Sequence, residues 1–151
     1  MADKLTAEQR HRCMSMVKSK GSHPEMIIRK GLHNLGLRFR LHNRQLPGTP
    51  DLIFSKHKTV LFVHGCFWHK HNCDKFSMPS TRKEFWEEKL SKNKLRDTEN
   101  VAQLRRMNWK VIIVWECAVV GKNRWNGEQL MQEIANIITV GERCFYEIMG
   151  S

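Results

Sequence analysis

Seven residues, Trp109-Lys-Val-Ile-Ile-Val-Trp115, are almost all β-branched or aromatic. A run of this composition packs well on a pleated surface, and it alternates too little to leave one side wet, so it reads as a strand buried on both faces. A strand covered in that way needs a sheet with helices stacked against it. Two shorter apolar runs, Asp51-Leu-Ile-Phe54 and Thr59-Val-Leu-Phe-Val63, are split by Ser-Lys-His-Lys and read as a hairpin. Residues 37–41 alternate apolar and polar, a strand pattern that the Pro47-Gly-Thr-Pro50 turn interrupts. About four strands in one mixed sheet flanked by helices follow from this, an α/β or α+β sandwich.

The helical segments are marked by capping signals. Thr6 with Gln9 opens a short helix carrying Met14 and Val17, which Gly21 stops. Arg10, Arg12, Lys18 and Lys20 crowd that segment, as an arm lying on phosphates or as a solvated face. Residues 1–20 are therefore set apart as a basic helical arm, and residues 21–151 as a single domain. Ser22 with Glu25 opens a second helix, with Pro24 in its first turn and Met26, Ile28, Leu32 and Leu35 as its apolar stripe, ending near Gly36. Thr81 with Glu84 opens a long helical region bearing Phe85, Trp86, Leu90, Leu95, Val101 and Leu104, expected to kink or break near Asp97. From Gly127, the spacing of Leu130, Ile134 and Ile138 predicts a last helix.

Charge narrows the partner. Against 15 Asp+Glu the 151-residue chain sets 26 Lys+Arg, a formal net charge of +11, which favours a polyanion. No apolar run is long enough to span a bilayer, and the charged stretch from Met1 to Arg12 lacks the apolar core of a signal peptide, so a soluble intracellular protein is expected. Five cysteines beside clustered histidines then point to metal ligation or free thiols over a disulfide framework. Cys13 and Cys144 lie far from the cluster and read as ordinary packed or surface thiols.

The cluster itself is His64-Gly-Cys-Phe-Trp-His-Lys-His-Asn-Cys73, which holds three histidines, two cysteines and two adjacent aromatics. A closed zinc site takes four nitrogen or sulfur ligands in a tetrahedron. His71 and Cys73, two residues apart, share one side of an extended segment, and the four residues between Cys66 and His71 let the loop turn back to them. Cys117, at the end of the buried-type strand, is the expected fourth ligand and would tie the loop to the sheet. His64 and His69 stay outside that set, free for acid, base or phosphate work near neutral pH. Asp51, held by the turn before it, is a candidate anchor for magnesium, which often takes only one or two protein oxygens.

Taken together, Leu46-Pro-Gly-Thr-Pro-Asp51, Phe62-Val-His-Gly-Cys-Phe-Trp-His69, Phe85-Trp86 and Val114-Trp-Glu-Cys117 resemble the very short patch repair (Vsr) DNA mismatch endonucleases, over roughly residues 5 to 120. The resemblance implies a restriction-endonuclease-like α/β fold with structural Zn2+ and catalytic Mg2+. It implies that Asp51 binds magnesium with the Val63 backbone carbonyl, that His69 activates the attacking water, that His64 assists at the scissile phosphate, and that Glu25 supports the site. The family pattern has a threonine where this chain has Val63, which removes any role for that hydroxyl. Phe67, Trp68 and Trp86 are implied to wedge into the base stack, although Trp86 alone would also suit core packing.

The implied reaction is a nick in one strand, 5′ to the thymine of a T:G mismatch, which starts repair of deaminated 5-methylcytosine. Mismatched duplex DNA, downstream repair proteins and a cognate cytosine methyltransferase are the implied partners of a monomer in the bacterial cytoplasm, at the nucleoid. Two other readings of the same residues are a zinc-stabilised DNA-binding module without catalysis and a less selective DNA nickase.

Overall fold

A computed structural model describes residues 21–151. The expectations for the Thr6 capping box, the basic arm and Cys13 lie outside the described residues. Five strands form one sheet in the order β1 (Arg40–Leu41), β2 (Leu52–Phe54), β3 (Thr59–His64), β4 (Lys110–Trp115) and β5 (Phe145–Ile148). The β1–β2 and β2–β3 pairs are antiparallel, and the β3–β4 and β4–β5 pairs are parallel, so the sheet is mixed, as expected. The 51–63 hairpin is as read, with a short 3-10 turn at Ser55–His57 between its strands.

The residues of β4 explain its place. With β3 on one side and β5 on the other, all but Lys110 are buried. One sheet face packs Leu52, Leu61, Ile112 and Val114 against α1 (His23–Asn34) and α4 (Gly127–Val140). The opposite face sets Ile53, Val60, Phe62, Val111 and Ile113 against Leu104 of α2 (Lys83–Arg106) and against Cys66 and Cys117. The molecule is therefore three-layered, helix on sheet on helix. None of the described helices is long and apolar enough to cross a membrane.

Several local expectations are corrected. Strand β5 makes a fifth strand where about four were expected; Phe145-Tyr-Glu-Ile148 is short and only partly buried, so its pattern carries little signal. Helix α2 runs unbroken through Asp97, and its N-cap is Arg82, in a left-handed conformation at φ 54° with no side-chain cap, in place of Thr81. Leu95 is 65% exposed, while Leu90 and Leu104 are fully buried, so the core stripe on α2 is narrower than the spacing of its apolar residues implies. Cys117 does not end β4 but lies in α3 (Glu116–Val119), a single helical turn directly after it.

Candidate active site

His64 and Trp115 are the last residues of β3 and β4 and are paired in the parallel ladder. The carboxyl ends of parallel strands are where open α/β sheets place their sites, because side chains leaving there converge on a crevice the helices do not fill. Three clusters of ligand-type side chains gather in this region, and within each the donor atoms all lie within 4.8 Å of one another.

The first is Glu25, His42 and Asp51. Continuing the β2–β3 register one step past Leu52 and Leu61 sets Asp51 beside Phe62, and the Val63 amide donates to Asp51 Oδ2 at 2.7 Å. Glu25 reaches the site from the first turn of α1. The Ser22 hydroxyl accepts from the Glu25 amide at 3.4 Å, as the capping box predicts. The Glu25 side chain accepts from the Gly21 amide at 3.1 Å through Oε1 and from His42 Nε2 at 3.0 Å through Oε2. One oxygen thus serves the helix end and the other the site. His42 also approaches Asp51 Oδ1 at 3.8 Å, from a left-handed backbone at φ 49°. Burial pushes the Asp51 carboxyl up to about 7, opposed by the Val63 hydrogen bond and reinforced by the neighbouring Glu25 charge.

The second cluster is His64, His69 and Asp97. The two imidazoles stack with centroids 3.7 Å apart, and the Trp115 ring meets both edge-on, at 5.3 Å from His64 and 6.2 Å from His69. Nδ1 of His69 is hydrogen-bonded to the Asp97 carboxylate of α2. Burial, and then the charge of His69, hold His64 well below the usual imidazole range. A cavity of about 370 Å³ is lined by residues of both clusters, His42 and Asp51 from the first and His64, His69 and Asp97 from the second, together with Val63.

The third cluster is Cys66, His71, Cys73 and Cys117, the four residues expected to ligate zinc. Cys117 Sγ and His71 Nδ1 are 3.7 Å apart. A tetrahedron with Zn–S and Zn–N bonds of ordinary length has edges of roughly 3.5–3.8 Å, so the donor set and its spacing fit that ion. Burial raises both the Cys66 and Cys117 thiols. A cation among them would offset that cost, and the Gly150 amide already donates to Cys117 Sγ at 3.3 Å. A side chain at Gly150 would meet the Cys117 carbonyl at 2.5 Å, so glycine permits the approach.

Phe67, Trp68 and Trp86 form a surface cluster with ring centroids 5.1 to 6.0 Å apart, and all three are half-buried. None belongs to either core cluster, so Trp86 is not the core residue its helical spacing allows.

Of the predicted site residues, Glu25 and Asp51 meet in one cluster, His64 and His69 in a second, Cys66, His71, Cys73 and Cys117 in a third, and Phe67, Trp68 and Trp86 in a separate aromatic group; His42, Asp97 and Trp115 join them. His42 carries no local signal, since it is a lone histidine after a two-residue strand. Asp97 did leave one: it interrupts the apolar stripe of α2, a break that reads as a kink but is the seat of a partner for His69. Trp115 was legible only as a strand residue, yet its ring stacks on His71 at 4.1 Å and its Nε1 donates to Glu147 at 2.7 Å.

Residues 2–75 match the family model described as DNA mismatch endonuclease Vsr. The type II nicking enzyme V.XorIIP of Xanthomonas oryzae pv. oryzae is 45% identical over 117 residues, covering 78% of this chain and 86% of that protein. The type II nicking enzyme V.NmeAIP of Neisseria meningitidis serogroup A is 39% identical over 91% of this chain and 100% of its own length. The DNA mismatch endonuclease Vsr of Escherichia coli K12 is 38% identical over 134 residues, covering 89% of this chain and 86% of that enzyme. With relatives of this kind the chain falls among the DNA endonucleases, a class of phosphodiester hydrolases. Within that class it belongs to the Vsr family of DNA mismatch endonucleases.

Proposed function

We propose that this protein nicks one strand of duplex DNA 5′ to the thymine of a T:G mismatch, using Mg2+ for catalysis and Zn2+ as a structural clamp in a restriction-endonuclease-like fold. The observation that carries this reading is that Asp51 and the His64–His69 pair line one cavity. A DNA-binding module would have no use for that arrangement.

Asp51 and the Val63 carbonyl would hold magnesium as hard oxygen donors, with Glu25 and His42 supporting them, and the ion would supply positive charge at the scissile phosphate. His69 gives its Nδ1 proton to the hydrogen bond with Asp97, which leaves Nε2 as the free base for a water. His64, neutral because it is buried against His69, can pair with a phosphate oxygen without adding a competing positive charge. The balance is a simple hydrolysis: water oxygen joins phosphorus, its proton goes to His69, the bond from phosphorus to the 3′ oxygen breaks, and that oxygen takes a proton from solvent, so the nick carries a 3′-hydroxyl and a 5′-phosphate. Cys66, His71, Cys73 and Cys117 would hold zinc and fix the loop that bears His69. Phe67, Trp68 and Trp86 would enter the base stack where a wobble pair makes unstacking, which costs roughly a few kcal/mol per step, cheapest.

The type II nicking enzymes among the relatives favour a second reading, a less selective nickase. Assaying a panel of duplexes that differ only at the central pair decides between them. Nicking confined to T:G supports the first reading, and equal nicking of perfect duplexes supports the second.

A further inference from the structure

Glu147, Trp115 and His64 stand on one face of three adjacent strands. The ladders pair Glu147 of β5 with Ile113 of β4, and Trp115 of β4 with His64 of β3. Alternate residues of a strand share a face, so Ile113 and Trp115 point the same way and the three side chains form a diagonal row.

The Trp115 ring is the middle of that row. It lies flat on His71, with centroids 4.1 Å apart and planes 9° from parallel, and it meets His64 and His69 edge-on. The thiol cluster and the imidazole pair are thus joined through one indole. That indole has a single polar atom, Nε1, which donates to Glu147 Oε2 at 2.7 Å. Trp115 and Glu147 also line a cavity of about 520 Å³. A ring at the wall of a cavity has fewer side chains to hold it than one inside a close-packed core, so its polar end fixes its tilt. Glu147 is an exposed residue of an edge strand, where a carboxylate ordinarily turns to water. Among the described residues it forms no ion pair. Its carboxylate is instead directed at the indole.

We infer that Glu147 is a positioning residue for strand cutting: by holding the Trp115 indole at Nε1, it keeps the His64–His69 pair in the orientation that serves the scissile phosphate. This rests on the roles proposed above for the two imidazoles. Glu147 acts only through Trp115. Without its acceptor the indole rocks on His71, and the edge that confines both imidazoles moves with it. Misplacing a reacting group by about 1 Å costs up to about 100-fold in rate, while the duplex is still bound.

The test compares Glu147→Ala, which removes the acceptor, with Glu147→Gln, whose amide oxygen accepts the same bond. In single-turnover nicking of a duplex with a central T:G pair, the alanine variant should be about tenfold slower, with duplex affinity, zinc content and melting temperature unchanged. The glutamine variant should stay within about threefold of wild type. In a Trp115→Phe background, which has no Nε1, Glu147→Ala should cost nothing further. NMR of the DNA-free protein supplies a second readout, since the carbon-bound ring protons of His64 and His69 lie beside the indole. Glu147→Ala should move them together with the Trp115 Nε1 proton, and Glu147→Gln should not.

An alanine variant as fast as wild type, a glutamine variant no better than alanine, or the same loss in the Trp115→Phe background would overturn the proposal. So would a loss confined to duplex affinity, or His64 and His69 resonances that stay in place in Glu147→Ala. If the wild-type protein nicks no duplex, the nicking assignment fails, and the resonances alone then decide whether Glu147 orients the pair.

Discussion

His64 and His69 lie ring on ring, with centroids 3.7 Å apart and planes 1° from parallel. Asp97 distinguishes the two rings, because its carboxylate engages His69 and not His64. Burial, and then the charge of His69, hold His64 well below the usual imidazole range, so two otherwise similar side chains stand in different surroundings.

Replacing Asp97 with Asn keeps the shape but removes the charge that fixes the His69 tautomer. Nicking should fall on the order of 100-fold or more, with duplex affinity and zinc content unchanged. Single-turnover rates beside a binding titration check this. A rate within about twofold of wild type would take Asp97 out of the mechanism.

Asp51 predicts a dependence of stability on pH. Its carboxyl titrates near 3.8 when unfolded and at about 7 when folded, so between those values the folded state binds more protons. Stability of the metal-free protein should therefore fall as pH rises through that window and level off above about 7. Asp51→Asn should remove this slope and raise stability at pH 8 by roughly 1–3 kcal/mol, while abolishing nicking. Urea melts at pH 5 and pH 8 measure it. Added Mg2+ should stabilise the wild type more at the higher pH, where no proton competes for the site.

For the thiol cluster, elemental analysis should find about one zinc per chain. Cys117→Ser should lose it and unfold at markedly lower temperature, because Cys66, His71 and Cys73 would remain without a closed coordination shell. A cysteine variant that is free of zinc yet as stable as the parent would contradict the clamp.

Trp68→Ala should reduce the preference for mismatched over perfect duplex more than it reduces affinity for perfect duplex, by about tenfold if one ring contributes 1–3 kcal/mol of stacking. Equal losses on both substrates would show general damage to the loop. Competition binding at fixed salt separates the two outcomes.

The sheet and the thiol cluster were legible in the sequence because each rests on a strong local signal. The β-branched run of β4 has few alternatives, and four ligand-type residues at 66, 71, 73 and 117 are hard to explain by packing. His42 and Asp97 were not legible, since each works through a partner 17 to 28 residues away, Glu25 and His69 respectively, and spacing along the chain says nothing about such meetings. Strand β5 escaped notice because an edge strand with two half-buried residues and one exposed lacks both alternation and a solid apolar run.

Glu25 comes from a helix on one face of the sheet and Asp97 from a helix on the other, while the residues between them stand on the sheet's own rim. Such a centre has no existence in a half-assembled molecule. If either outer layer slipped by a fraction of a helical turn, Glu25 and Asp97 would no longer reach the same rim. A DNA endonuclease built in this way would assemble its centre only when its packing is complete, with architectural integrity serving as the licence to cut.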